Sequence, residues 1–228
     1  MKKLLVLSLL AIVGAAQLRA SDANTPRGDL VVRVESCEAI LREFQASPST
    51  AIPPQVWQKA RGLIILNQFK AGLVFGVKTG YGILMVKKPS GRWSLPVLID
   101  ASEASFGLQL GAKSVETVFI LTDDATPRLL FSNQFNIGVD AKAVAGPSAV
   151  AYENDARPTF VAPVLAYSRT VGLYAGATVK GGRVSRNDAA NFNLYATSYT
   201  MPELLYSDWV SAPAEVQPLI AYVQQLSP

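Results

Sequence analysis

A change in hydrophobic periodicity along the chain limits the folds open to it more than any other feature. Between residues 62 and 122, apolar residues alternate with polar ones or form short blocks bounded by turns, as in GLIILN, YGILMVK and ETVFILT. A period of two is typical of β-strands. In Asp29–Gln45 and near Val216–Leu226, apolar residues instead recur at helical spacing. We therefore predict an α+β fold, with a β-rich, mainly antiparallel curved or barrel-like core and helices at the N- and C-termini.

Glycine and proline mark the turns and bends of these strands. KPSGR at 88–92 predicts a β-hairpin turn that contains Pro89 and Gly91. Glycines inside the strands are predicted to let the sheet bend and neighbouring backbones approach closely; they are Gly72, Gly76, Gly80 and Gly82. Later strands are predicted around Ile137–Val144, Thr159–Tyr167, Gly172–Val179 and Phe192–Ala196.

The N-terminus has the pattern of an export signal. Lys2 and Lys3 precede an apolar run, and the small residues Ala20 and Ser21 follow it. The run is shorter than the ~20 residues that a transmembrane helix needs, and no cysteine stands at the cleavage position. We predict a signal peptide over 1–20, a helix and linker over 21–51, and the main domain over 52–228. This predicts a periplasmic or secreted protein, with an uncleaved N-terminal anchor as the alternative.

The overall charge gives no reason to expect a nucleic-acid partner. The chain has 21 Lys and Arg against 17 Asp and Glu, and three of the basic residues lie in the leader. Without the leader the chain is close to neutral, so a general attraction to nucleic acid is not predicted.

The composition also removes most catalytic arrangements. The chain has no histidine, which excludes Ser-His-Asp and Cys-His sites and every His-ligated metal site. Cys37 is the only cysteine, and it lies on the apolar stripe of the first helix, where a buried thiol is expected. Gly76 is followed by Val77 before Lys78 and Thr79, so the spacing of a phosphate-binding loop is not met. Carboxylate chemistry, a Ser-Lys dyad and an oxygen-only ion site remain open to such a chain. We predict no enzyme, cofactor or metal, with a hydrolase that uses paired carboxylates as the catalytic alternative.

The order of the charges is more informative than their total. No acidic residue occurs between Glu43 and Asp100, a stretch that contains seven Lys and Arg. Such segregation predicts a basic face that favours anionic partners, unless the charges are dispersed over several solvated surfaces. The residues predicted to contact lipid are Lys70, Lys78, Lys87, Lys88, Arg92 and Trp93.

The chain resembles the SYLF domain family in a series of blocks that keep the family's order from about Ile52 to Leu226. The blocks are IPPQVWQKARGLIIL, FKAGLVFGVKTGYGILMVK, GRWSLPVLI, FGLQLGAKSVETVFILT, AGPSA, YSRTVGLYAGATVKGG and NDAANFNLY. In eukaryotes such domains accompany SH3 or FYVE modules and are associated with phosphoinositide and other phospholipid binding, and in yeast with actin. The resemblance implies a lipid-binding domain without catalytic residues.

In one respect the chain differs from the family pattern. Family lipid binding is attributed largely to a basic amphipathic segment at the N-terminus of the domain. The polar side of the helix predicted over Asp29–Gln45 has four acidic residues against two arginines. We therefore predict binding to an anionic phospholipid surface through the basic stretch that follows. The alternative is a protein–protein interaction module of the cell envelope without lipid specificity.

The leader pattern generates a prediction about processing. The exported protein should begin near Ser21, because Ala20 is small and follows the apolar run at the usual distance. Intact-mass measurement on protein from the envelope fraction checks this. A species that retains Met1 through Ala20 would identify an anchor instead.

Overall fold

The computed structural model describes residues 22–72, 75–106, 113–132, 134–137, 140, 143–145, 162–171 and 182–228. The helices are α1 (Arg27–Ala46), α2 (Pro54–Gln58), α3 (Thr126–Leu129), α4 (Asp188–Tyr195), α5 (Met201–Tyr206) and α6 (Gln217–Leu226). The strands are β1 (Gly62–Gly72), β2 (Phe75–Val86), β3 (Val97–Phe106), β4 (Lys113–Leu121), β5 (Gln134–Asn136), β6 (Ala143–Ala145), β7 (Val164–Val171) and β8 (Arg183–Arg186).

The strands form one curled sheet in the order β5-β8-β3-β2-β1-β4-β7-β6. Every described pair is antiparallel except β6 with β7, which run parallel. The predicted α+β class is confirmed, with an antiparallel curved sheet and helices in the N- and C-terminal regions. Within the described residues, no helix has both the length and the hydropathy to span a membrane.

One half of the sheet is covered on both faces. Successive residues of a strand point to opposite faces, yet four consecutive residues in each of β1, β2 and β4 are buried: 63–66, 83–86 and 118–121. These blocks explain the uninterrupted apolar runs in the sequence, because a strand with two buried faces has no polar side. The hydrophobic core therefore lies around this half of the sheet.

Helix α1 covers one face by lying across the strands. The Arg33 guanidinium is 5.3 Å from the ring centre of Tyr81 on β2, and the Cys37 thiol is 4.0 Å from the Ile65 carbonyl oxygen on β1. Further along the helix, Glu43 forms an ion pair with Arg169 on β7. The buried stripe predicted from the sequence makes this packing possible; it is Leu30, Val31, Val34, Cys37, Ile40, Leu41 and Phe44.

A row of polar residues crosses the sheet beneath α1. Its members are partners in register on five neighbouring strands, namely Asp100, Tyr81, Asn67, Glu116 and Arg169. The Asn67 amide donates to the Tyr81 hydroxyl over 3.1 Å, and Arg169 Nε donates to Glu116 over 2.9 Å. This polar row separates the buried half of the sheet from the other half, where Phe69 on β1 is 53% exposed.

The start of α1 is fixed to the sheet through the buried carboxylate of Asp22. Arg33 donates to Asp22 over 2.7 Å, and the Asn187 amide donates to Asp22 over 2.5 Å and to Asp100 over 2.8 Å. Burial acts to raise the pKa of Asp22, but the hydrogen bonds from Arg33 and Asn187 outweigh it, so the pKa lies below its ordinary value.

Helix α4 corrects one sequence prediction, since Phe192–Ala196 was expected to be a strand. Asn187 caps the helix by accepting from the Ala190 amide over 3.0 Å. The Asn191 side chain accepts from Leu98 N–H over 2.8 Å and donates to Leu98 C=O over 2.9 Å. Since β8 ends opposite Ile99, these bonds satisfy backbone groups that the next strand does not reach.

Parts of the other strand predictions lie outside the described residues. The strand predicted at Gly172–Val179 lies there entirely. The strand predicted at Ile137–Val144 includes residues 138–139 and 141–142, which are outside the described part. Its described residues do not form one strand, because Asp140 lies in a turn and β6 begins at Ala143. The strand predicted at Thr159–Tyr167 includes residues 159–161, which are also outside the described part. The described part of this prediction is 162–167, and its strand begins at Val164, in β7.

Two of the strand glycines are required by close backbone contact, as predicted. A Cβ atom at Gly80 would lie 2.0 Å from the Asn67 carbonyl oxygen, and one at Gly82 would lie 2.2 Å from the Ile65 carbonyl oxygen. Both oxygens belong to the neighbouring strand β1. Strand β2 can therefore follow the curl of the sheet only if these two positions carry no side chain. Gly72 and Gly76 are partners in register where the same two strands meet.

Replacing Gly82 by alanine should destabilise the fold by about 2 kcal/mol or more, because the backbone of β1 must move to admit the methyl group. Urea unfolding of the purified protein measures the change. Gly28→Ala is the matched control, since nothing lies within 4 Å of its Cβ position on α1. That variant should keep the stability or raise it by up to about 1 kcal/mol. Equal stability of both variants would contradict the close approach.

Replacing Asp22 by asparagine should lower stability at pH 7 by about 2 kcal/mol, because the Arg33 guanidinium loses a buried charged partner. The folded-state pKa of Asp22 is depressed, so its contribution is present above pH ~4 and is lost as the pH falls through the folded pKa. The stability difference between the two proteins should therefore shrink between pH 5 and pH 2. Asp29→Asn, which removes an exposed carboxylate from the first turn of α1, is the control. A difference that stays constant with pH would rule out this contribution.

Candidate functional site at the β2–β3 hairpin

Residues 87–96 connect β2 to β3 as the predicted hairpin. The backbone of Lys88 donates to Arg92 O over 2.8 Å, and Gly91 N–H donates to Lys88 O over 2.9 Å. Gly91 has a φ of +81°, a conformation that side-chain-bearing residues rarely adopt. The turn holds Lys87, Lys88 and Arg92 close together at the covered end of the sheet.

Lys87 fixes the C-terminal segment to the hairpin. Its ammonium group donates to the Pro228 carbonyl oxygen over 2.5 Å and to the Ser227 hydroxyl over 3.4 Å. Burial and the nearby charge of Arg61 lower the pKa of Lys87. Lys87 therefore has a structural role, in which it binds the C-terminal segment.

Lys88 and Arg92 converge on the carboxylate of Asp208, in the loop that follows α5. Lys88 Nζ lies 2.7 Å from Asp208 Oδ1, and Arg92 Nη2 lies 2.8 Å from Asp208 Oδ2. The hydrogen bond from Lys88 is the main reason that the pKa of Asp208 is lowered. The Lys88 side chain is only 9% exposed, whereas that of Arg92 is 66% exposed. Arg92 is therefore the cation of this pair that faces solvent.

The two tryptophans near the hairpin have opposite environments. Trp93 is 4% exposed, and its indole N–H donates to the Ser227 carbonyl oxygen over 3.0 Å. The ring predicted to contact lipid therefore belongs to the core. Trp209, next to Asp208, is 66% exposed, and its ring centre lies 5.3 Å from that of Tyr199. We call Lys88, Arg92, Tyr199, Asp208 and Trp209 together the Trp209 surface.

The remaining predicted lipid-contact residues, Lys70 and Lys78, belong to the opposite end of the sheet. They are partners in register on β1 and β2, and their side chains lie outside the described part of the structure. Gly62 pairs with Val86 beside the hairpin, and Lys70 is eight residues further along β1, or about 26 Å at the usual rise. The acid-free stretch of sequence therefore does not form one continuous basic face.

The sequence signal for Trp209 was weak. It lies in SDWVSAP, between two predicted helices, where an aromatic residue without periodicity indicates neither core nor surface. Only its position beside Asp208, and therefore beside the hairpin cations, connects it to the predicted site.

Other side chains that could react or bind a metal have structural roles. Asp123 accepts from the amides of Ala125 and Thr126 over 2.9 and 2.6 Å, as expected for a turn former before α3. Burial raises the pKa of Cys37 to about 12, so its thiol stays protonated and unreactive. Within the described ranges, no group of three or more Cys, Asp or Glu side chains could hold a metal ion.

Comparison with protein families matches more than half of the chain. The family model described as Las17-binding protein actin regulator, Ysc84, matches residues 102–226. This range includes β4, β7, β8 and all helices from α3 onward, together with Tyr199, Asp208 and Trp209. The basic hairpin lies before the matched range.

Similar full-length proteins occur in yeasts and animals. LAS seventeen-binding protein 3 of Saccharomyces cerevisiae is 32% identical over 176 residues, which is 76% of this chain and 38% of the relative. SH3 domain-containing YSC84-like protein 1 of Homo sapiens is 28% identical over 202 residues, 86% of this chain and 59% of the relative. The chain thus spans about two fifths of the yeast relative and three fifths of the human one. No solved structure matches the chain.

Proposed function

The chain belongs to the Ysc84, or SYLF-domain, family, and we propose that it binds an anionic phospholipid surface. The relatives are named as binding and regulatory proteins, which supports a non-enzymatic binding role. The lipid ligand is our inference from the chemistry of the Trp209 surface.

The observation that carries the proposal is the exposed ring of Trp209, which directly follows Asp208, the partner of the exposed Arg92. Tryptophan and tyrosine combine an apolar ring with a polar tip, and they are enriched at the level of lipid headgroups. Arg92 binds Asp208, the residue that precedes Trp209 in the chain. A guanidinium group pairs well with phosphate. A solvent-exposed Trp–Tyr pair next to a cation is therefore suited to a membrane interface.

The number of cations indicates that binding is weak and needs the aromatic ring. Lys59, Arg61 and Arg92 are exposed near the covered end of the sheet, and each basic residue near an anionic surface contributes about 1 kcal/mol. About 3 kcal/mol corresponds to millimolar affinity or weaker. Burial of one tryptophan adds roughly 2–3 kcal/mol, which brings the affinity to about 0.1 mM.

The cell envelope is the proposed location, because the pattern of residues 1–20 is that of an export signal. These residues lie outside the described structure. Bacterial-type anionic phospholipids would then be the available surface, and phosphatidylglycerol is the suitable probe.

A protein-binding role without lipid specificity is the second candidate. The names of the yeast relative and of the family describe Las17 binding and actin regulation, which favours a protein partner. Tryptophan, tyrosine and arginine, which this surface presents, are also the residues that dominate protein–protein interfaces.

Sedimentation with vesicles separates the two candidates. The protein should bind phosphatidylglycerol vesicles, release from them as salt rises, and bind neutral phosphatidylcholine vesicles weakly. Trp209→Ala and Arg92→Ala should each reduce binding about fivefold or more. The matched controls are Phe69→Ala, an exposed aromatic residue beyond the polar row, and Arg183→Ala, an exposed arginine on β8.

Tryptophan fluorescence gives an independent measurement. The chain has three tryptophans, and Trp57 and Trp93 are buried, so a blue shift on vesicle binding should come from Trp209 and disappear in Trp209→Phe. Arg92 is a better target than Lys87 or Lys88, because those lysines also bind the C-terminal segment and the Ser207 carbonyl oxygen. Equal binding to neutral and anionic vesicles would exclude the proposal of an anionic lipid surface. Absence of binding to both would favour the protein partner.

A further inference from the structure

Two cations of the Trp209 surface share one anion that the chain itself supplies. The two carboxylate oxygens of Asp208 each accept from a different residue, one from Lys88 Nζ and the other from Arg92 Nη2. The donors come from the β2–β3 hairpin, and the acceptor comes from the loop after α5. A lipid phosphodiester also presents two anionic oxygens to such a pair of donors.

The site is held in place on one side only. Lys88 Nζ also donates to the Ser207 carbonyl oxygen over 2.6 Å, and its side chain is 9% exposed. Lys88 therefore keeps its position when its anion changes. Asp208 and Arg92 are 65% and 66% exposed, and exposed ion pairs of this kind contribute little to stability. The Asp208 carboxylate can thus be exchanged for another anion with little loss to the fold.

We propose that Lys88 and Arg92 form a binding site for the headgroup phosphate of an anionic lipid, and that Asp208 is an internal competitor for this site. The inference rests on the proposed lipid function and names the atoms and the regulation of that same surface. In the unbound protein the carboxylate occupies both donors. At a membrane the phosphate replaces it, and the freed loop places Trp209 at the interface.

The charge balance sets the expected size of the effect. Asp208 neutralises one of the two cations and also repels the membrane. Asp208→Asn removes this charge and leaves an amide of similar size. Since one unit of charge near an anionic surface is worth about a fivefold change in affinity, the variant should bind phosphatidylglycerol vesicles about fivefold more tightly than the wild type.

A matched variant separates the site from a general charge effect. Asp188→Asn removes an equally exposed carboxylate that pairs with Arg186 at 3.1 Å on a different part of the surface. It should leave vesicle binding within about twofold of the wild type. Asp208→Glu keeps the charge and should bind like the wild type, and Asp208→Asn combined with Arg92→Ala should lose the gain. Far-ultraviolet circular dichroism and thermal unfolding check that each variant is folded.

The outcomes distinguish this inference from the proposed function. If the wild type binds anionic vesicles and Asp208→Asn binds equally or less tightly, the internal competitor is excluded while the lipid function stands. An equal gain in Asp188→Asn excludes it as well. If neither the wild type nor Asp208→Asn binds vesicles, both proposals fail, whereas binding by Asp208→Asn alone supports a competitor that masks the site.

Inorganic phosphate tests the source of the anion. At about 1 mM it should not displace Asp208→Asn from phosphatidylglycerol vesicles, because a free ion lacks the contribution of the inserted ring and of the surface potential. Displacement at that concentration would overturn the assignment to a lipid surface and identify a site for small phosphate ions.

Discussion

The packing of helix α1 across the strands is the contact on which the rest of the structure depends. Without it, one face of the buried blocks in β1, β2 and β4 would be open to water. The helix is fixed near both ends by charged groups, through Arg33 with Asp22 and through Glu43 with Arg169. Between these points an apolar stripe fills the space above the sheet. The cations are partly buried and each has a carboxylate partner, so the polar row can lie beneath a helix without leaving a charge uncompensated.

The curl of the sheet decides where the hairpin lies. Since Gly80 and Gly82 let β2 approach the β1 backbone, the far end of β2 turns toward the C-terminal helices. There Lys87 and Trp93 contact Ser227, and Lys88 contacts Ser207. The basic hairpin that the sequence predicts as a lipid contact is therefore also the place where the C-terminal part of the chain packs. This double role explains why only Arg92 of its three cations is largely exposed.

The same arrangement gives a physical basis for a binding function. A buried lysine and an exposed arginine are held on one anion, and an exposed tryptophan follows that anion directly. Charge provides long-range attraction that salt can screen, and the ring provides the short-range contribution that makes weak attraction useful. The relative LAS seventeen-binding protein 3 is named for a protein partner, and the same residue types would serve a protein interface.

Local chemistry allowed much of the fold to be predicted from the sequence. The two periodicities, the turn at Gly91 and the apolar stripe of α1 each depend on neighbouring residues, and the order of short blocks indicated the family. The strand predicted at Phe192–Ala196 was wrong because a short apolar run fits either structure, and the cap at Asn187 with the bonds of Asn191 to β3 decided for a helix.

The candidate site was determined by the tertiary structure. The sequence places Lys88 and Arg92 in one predicted hairpin. It could not show that Lys70 lies far along the sheet or which tryptophan is exposed. Trp93 is buried through a contact with Ser227, 134 residues away, and Trp209 is placed by Asp208, about as distant from the hairpin. Burial depends on what the rest of the chain brings to a residue, so residue type and local pattern determined the elements, and long-range packing determined the surface.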